Sequence, residues 1–171
     1  MSKLWSGRDD AGKQILSPPG SSLRLELHFR NGGPSISGMN HTALEDKLGY
    51  RFNNPDLLVQ ALTHPSTDSK PETRRAYERL EFLGDAILQL AVTQYLYHHM
   101  PQSPEGELTQ LRARTVSRAN LGKYGFILGL DKHMALGKGE ERAGGRSKNS
   151  IIANTFESVF GAMSLDSNYE T

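Results

Sequence analysis

Apolar residues recur at helical spacing from about residue 73 to residue 99: Tyr77, Leu80, Leu83, Ile87, Leu90, Ala91, Val92 and Leu96. A run of this length is far longer than an ordinary strand, so the chain must be organised around one long helix. After Phe82 apolar residues fall on every side of it, which predicts a central, buried helix. Pro101 and Pro104 punctuate its end.

The neighbouring signals are also helical. Thr42, Ala43, Leu44 and Glu45 form a capping-box pattern, and Leu44 and Leu48 follow at a spacing of four. Asn54 and Pro55 supply a cap and a first-turn proline ahead of Leu57, Leu58, Ala61 and Leu62. Further helices are expected over about 105–115, around 118–124, and from 147 to about 165. The last of these carries Ile151, Ile152, Phe156, Val159, Phe160 and Met163 as its apolar face. Residues 137–145 read as a glycine-rich, charged loop. The expected fold class is all-α.

Residues 1–39 are different in kind. They are rich in Gly, Ser and Pro, and Leu23, Leu25, Leu27 and Phe29 alternate with polar residues as a lone strand would. The expected organisation is a flexible or loosely attached extension over 1–39 and a helical domain over 40–171.

No stretch is long and apolar enough to suggest a membrane span or a secretory signal. The chain has no cysteine, which excludes disulfides, zinc–thiolate sites and thiol nucleophiles and suits a reducing, cytoplasmic setting. Net charge is only +1, but its distribution is uneven. Residues 112–148 hold nine Lys or Arg against three acids, while Glu78, Glu81, Asp85, Glu105 and Glu107 cluster just upstream. A basic surface beside an acidic pocket suits a polyanion held near bound cations.

Glu78, Glu81 and Asp85 share one helical face, since they stand three, four and seven apart. Asp85 sits among Phe82, Leu83, Ala86, Ile87 and Leu88, where an ionised carboxylate needs a cation, a donor network or a metal. Glu157 is embedded in the same way in the last helix, and Asn154 lies three residues before it on the same face. Two helices thus present oxygen ligands, a donor set that fits magnesium or manganese rather than zinc. Glu105 could add one more. On residues alone this is a metal-binding helical hydrolase, or else a set of structural salt bridges.

The segment Glu78-Arg79-Leu80-Glu81-Phe82-Leu83-Gly84-Asp85 resembles the signature of the ribonuclease III endonuclease domain. Other landmarks follow in that family's order: Leu48-Gly49-Tyr50-Arg51-Phe52, Ala61-Leu62-Thr63-His64-Pro65-Ser66, Glu105-Gly106-Glu107-Leu108, and Ser150 through Glu157 on to Leu165-Asp166. The resemblance covers about residues 40–171 and implies that family's helical bundle. Carried over by position, it implies a metal site of Glu81, Asp85, Asn154 and Glu157, with Asp85, Glu157, Glu78 and Glu105 as catalytic acids. It further implies Mg2+ (or Mn2+) as cofactor, double-stranded RNA as substrate, and metal-assisted hydrolysis leaving 5′-phosphate and 3′-hydroxyl ends. Processing of rRNA and mRNA precursors is the expected role. A homodimer is implied, with Phe82 as the contact into the partner. Arg112, Arg114, Arg146 and Lys148 are expected to touch RNA phosphates. His64 reads as a structural histidine between two helices.

Two features depart from the family pattern. Asn154 stands where aspartate is usual, and Tyr77 replaces the asparagine that commonly precedes the signature. The nuclease domain also reads as clipped at its C-terminus, without the family's double-stranded-RNA-binding domain. A non-catalytic RNA-binding relative would suit Asn154. An all-α nucleoside-triphosphate pyrophosphohydrolase would share the paired acidic helices but would have no use for the basic region.

Overall fold

The computed structural model describes residues 7–8, 14–15, 41–67 and 70–167. The chain divides into two compact units, 1–32 and 33–171. In the first, β1 (Gly7–Arg8) pairs antiparallel with β2 (Gln14–Ile15). The alternating stretch from Leu23 to Phe29 lies outside the described residues.

The second unit is all-α. Its helices are α1 (Thr42–Leu48), α2 (Pro55–Leu62), α3 (Pro71–His99), α4 (Glu105–Thr115), α5 (Arg118–Leu128), α6 (Leu130–His133), α7 (Lys138–Arg142) and α8 (Asn149–Asp166). No described helix is both long and apolar enough to cross a membrane.

Local chemistry accounts for several boundaries. Asn54 Oδ1 accepts from the Asp56 amide at 3.1 Å, with Pro55 in the first turn of α2. Ser117 caps α5, and Gly129, at φ 81°, ends it in the left-handed conformation open to glycine. The expected capping box at α1 does not form. His41 takes the cap position, and Glu45 turns to the chain beyond the helix, where it accepts from the Phe52 amide at 2.9 Å and pairs with Arg51 at 3.1 Å. The glycine-rich stretch expected as a loop instead contains α7, because Lys138 to Arg142 make one helical turn between glycines.

The centre of the bundle is α8 rather than α3. Ile151, Ile152, Ala153, Thr155, Phe156, Ser158, Val159, Gly161 and Ala162 are all buried, so α8 is enclosed on every side but the partly exposed strip of Asn154, Glu157 and Phe160. Its small residues close the sides that a purely amphipathic reading left open, and α2, α3 and α5 pack around it. Asp166 fastens its C-terminal end, accepting from the amides of Asn53 (2.7 Å) and Asn54 (2.8 Å) and from the Tyr50 hydroxyl (2.8 Å). On α3 only Tyr77, Leu80, Gly84 and Leu88 are buried. Its second half runs past α8 toward α4, and Leu90, Tyr95 and Tyr97 face outward there.

Candidate active site

The site is set by a backbone crossing. A Cβ at Gly84 would lie 1.7 Å from the carbonyl oxygen of Glu157, and one at Gly161 would lie 2.2 Å from that of Leu80. The two glycines let α3 and α8 touch main chain to main chain. Leu80 and Gly84 therefore face α8, Glu81 sits on the shoulder of the seam, and Asp85 and Glu78 lie further round α3. Glu157 approaches from the other side. Tyr77 adds a buried tie one turn earlier, its hydroxyl 3.0 Å from Thr155 Oγ1.

The acids respond to one another. Burial, then Glu81 and Asp85, push the Glu157 carboxyl up to about 7, against the pull of the Arg118 guanidinium. Burial also raises Glu81, with Glu78 adding to the rise; Arg118 and a hydrogen bond from the Asn154 amide oppose it. Asp85 is turned along its own helix, accepting from Gln89 Nε2 at 2.8 Å. Among the described residues no group of three carboxylates or imidazoles stands close enough together to hold a metal ion as it is, so Glu81, Asp85 and Glu157 would have to swing inward to share one. The decisive atom is Asn154 Oδ1, which is buried and has no hydrogen-bond partner. An orphaned acceptor beside three mutually repelling carboxylates lacks a cation-like partner, and the all-oxygen donor set fits a hard divalent ion such as Mg2+.

Other expected residues stand elsewhere. Glu78 is exposed at the edge of the cluster. Glu105 accepts from Thr109 Oγ1 at 2.7 Å and lines a hollow with Thr93, Leu96 and Tyr97, two turns or more beyond Asp85 along α3. Phe82 is 79% exposed, on the face of α3 opposite the α8 seam. Arg112 reaches Thr93 Oγ1 at 3.2 Å in the same hollow as Glu105, and Arg114 is exposed.

Two of the expected phosphate contacts are already engaged within the chain. Arg146 holds Glu141 at 2.7 Å and the carbonyls of Asp131 (2.5 Å) and Met134 (2.9 Å), stitching α6 to α7. Lys148 pairs with Glu140 at 2.6 Å. His64 is structural, with Nδ1 2.8 Å from Ser66 Oγ and its ring edge-on to Tyr77.

A family model described as ribonuclease-III-like matches residues 54–171. The chain belongs to the ribonuclease III family. The ribonuclease 3 of Syntrophotalea carbinolica is 45% identical over 130 residues, covering 75% of this chain and 56% of that protein. That of Carboxydothermus hydrogenoformans is 46% identical over 133 residues, covering 77% and 57%. The chain thus spans a little over half the length of the curated relatives it matches. The nuclease domain of ribonuclease III from Campylobacter jejuni, described for structural flexibility in a region involved in dimer formation, is similar in structure. Its TM-score is 0.71 at 38% identity, over 77% of this chain and 89% of that one.

Two members of this ribonuclease III cluster escape a reading of the sequence. Arg118 was one cation among nine in a basic stretch. It reaches the acids because α5 starts against α8, where Asn149 Nδ2 donates to the Arg118 carbonyl at 2.9 Å. Gln89 carries no charge pattern at all; only its position one turn after Asp85 makes it the partner.

Proposed function

We propose that this domain cleaves double-stranded RNA by metal-assisted phosphodiester hydrolysis in the cytoplasm, leaving 5′-phosphate and 3′-hydroxyl ends, in the processing of rRNA and mRNA precursors. The observation that carries the reading is the orphaned Asn154 Oδ1 beside Glu81, Asp85 and Glu157, the last with its carboxyl pushed up to about 7. Membership of the ribonuclease III family supports double-stranded RNA as the substrate class.

Glu81, Asp85, Asn154 and Glu157 would hold Mg2+, with Mn2+ as a substitute. Bound there, such an ion would supply Lewis-acid chemistry toward water and the phosphodiester oxygens. The chain's own residues do the rest. The glycine seam fixes the spacing of the acids, and Glu78 lies at the rim as a further acid. Asp85 and Glu157 flank the reacting phosphate, and Glu157, its carboxyl raised to about 7, is suited to take up a proton near neutral pH. Arg114 and Arg118, both exposed, would meet RNA phosphates, and Arg112, Arg146 and Lys148 would join them only by leaving their present partners. A-form RNA is read mostly by shape, so weak sequence preference is expected.

The exposed Phe82, with Leu90, Tyr95 and Tyr97 also open on α3, supports a homodimer built on this helix. Glu105 would serve as a catalytic acid in such an assembly.

The test is incubation of a labelled RNA duplex with Mg2+, beside a Glu157→Ala variant. Cleavage by the parent alone is the expected result. Binding without cleavage by either protein would instead mark a non-catalytic relative, the reading that Asn154 favours. Nucleotide hydrolysis with indifference to duplex would mark a pyrophosphohydrolase.

A further inference from the structure

His41 and His133 are 92 positions apart in sequence, yet their Nδ1 atoms stand 3.4 Å from each other. The ring planes meet at 52° with centroids 5.6 Å apart, so the rings are not stacked but confront each other through nitrogen. His41 caps α1, and His133 is the last residue of α6. Neither belongs to the carboxylate cluster. His41 is buried, and its Nε2 has no hydrogen-bond partner, so no bond at that atom fixes which nitrogen carries the proton.

We propose that His41 and His133 form a two-imidazole site for a divalent transition-metal ion of the zinc type, separate from the oxygen-ligand cluster. As they stand, one Nδ1–H donates to the other ring's Nδ1 lone pair; when the donating ring carries its proton on Nε2 instead, both Nδ1 lone pairs are open to an ion and both rings stay neutral. Zinc–nitrogen bonds of about 2.0–2.1 Å at a tetrahedral angle put two ligand nitrogens about 3.3 Å apart. The 3.4 Å found here is close to that spacing; centroids 5.6 Å apart show the rings nearly head-on, so each would rotate modestly to turn its lone pair onto a shared ion.

Ligand type separates the two sites. Imidazole suits zinc, nickel and copper, whereas magnesium keeps to oxygen. Burial holds both rings below the ordinary histidine value, so each offers a lone pair at neutral pH. The surrounding charges are mixed. Glu45 favours positive charge at His41 and Asp131 at His133, while Lys47 and Lys132 oppose it at His133. Among the described residues no third carboxylate or imidazole completes a cage, so water fills the remaining positions. Among the described residues nothing accepts a proton from His41 Nε2, and affinity should fall roughly 10–100-fold below that of a site whose histidines are braced. A bound ion would cross-link α1 to the end of α6, reinforcing the bond from Lys47 Nζ to the Leu128 carbonyl at 3.1 Å.

Zinc titration of metal-stripped protein in a calorimeter tests this, with Mg2+ in large excess so that the oxygen ligands are already committed. One zinc per chain is expected, with a rise in Tm that grows with zinc concentration. Uptake should vanish in both His133→Asn and His41→Asn and survive in Glu157→Gln. Far-ultraviolet circular dichroism confirms that each variant is folded. If either histidine variant fails that check, His133→Gln replaces it, and a folded His133→Gln must also lose the zinc. Absence of zinc uptake by the parent overturns the proposal. So does uptake indifferent to His133, or uptake lost with Glu157, which would place the ion among the carboxylates.

Discussion

Replacing Glu157 by Gln removes one charge from a crowded cluster without changing the shape of the side chain. In the fold this carboxyl is raised from 4.5 to about 7. At roughly 1.4 kcal/mol per tenfold, that rise is worth at most about 3 kcal/mol. The side chain is only half-buried and water screens it, so about 1–2 kcal/mol is the working figure. The sign follows from linkage. A carboxyl raised by folding costs nothing below its unfolded value of 4.5; the cost grows as pH climbs toward about 7 and is complete above it. The parent therefore loses this stability between about pH 4.5 and 7, and Glu157→Gln does not.

Urea denaturation in a chelator, at several pH values between 4.5 and 8, measures the difference. The variant should match the parent at the acid end and exceed it by about 1–2 kcal/mol at the alkaline end. Added Mg2+ should then stabilise the parent and leave the variant nearly unmoved. A stability difference that stays flat across this range would refute the crowding of Glu81, Asp85 and Glu157.

Gly84→Ala drives a methyl into the Glu157 carbonyl, and backbone cannot step aside as a flexible side chain would. A loss of about 3 kcal/mol or more in denaturant titrations is expected, together with loss of cleavage. Asn154→Asp should tighten Mg2+, read as a lower midpoint in a magnesium titration of activity. It should also lower Tm in chelator, because an aspartate cannot donate to Glu81 as the amide does. Equal midpoints for the two proteins would contradict this. Phe82→Asp should shift the sedimentation coefficient toward that of a monomer with little change in the helical circular dichroism signal, since the side chain is 79% exposed.

Much of the bundle was legible because its signals are local. Periodicity located α3 and α8, Pro101 and Pro104 separated α3 from α4, and Asn54 with Pro55 marked the start of α2. The misreadings were tertiary. Counting apolar residues made α3 the buried centre, but a helix so apolar past Phe82 can also leave that surface open, as Leu90, Tyr95 and Tyr97 do. The role of α8 rests on small residues, which carry little apolar signal but allow three helices to close in. Glu45 fits a capping box in sequence, yet Arg51 and the Phe52 amide compete for it and win.

The site divides along the same line. Glu81, Asp85 and Glu157 could be nominated from carboxylates lodged in apolar runs. Arg118 and Gln89 could not, because what selects them is the approach of α5 to α8 and the side-chain direction of Asp85. Arg146 is nominated from sequence as a phosphate contact, and the fold engages its guanidinium with two carbonyls and a carboxylate, partners that no local pattern announces.

The contact between Gly84 and the Glu157 carbonyl divides the molecule by its tolerance of change. Where α5 packs on α8 the neighbours are side chains, Asn149 against Gly122 and Ile152 against Gly125, so a substitution there can be absorbed in part by rotamer shifts and small slides. At this seam there is no compressible layer between the helices. The backbone of Glu157 sets the distance that its own carboxylate then uses. Sequence drift in the outer helices can therefore accumulate without retuning the acids, while a single methyl at the crossing alters fold and chemistry together.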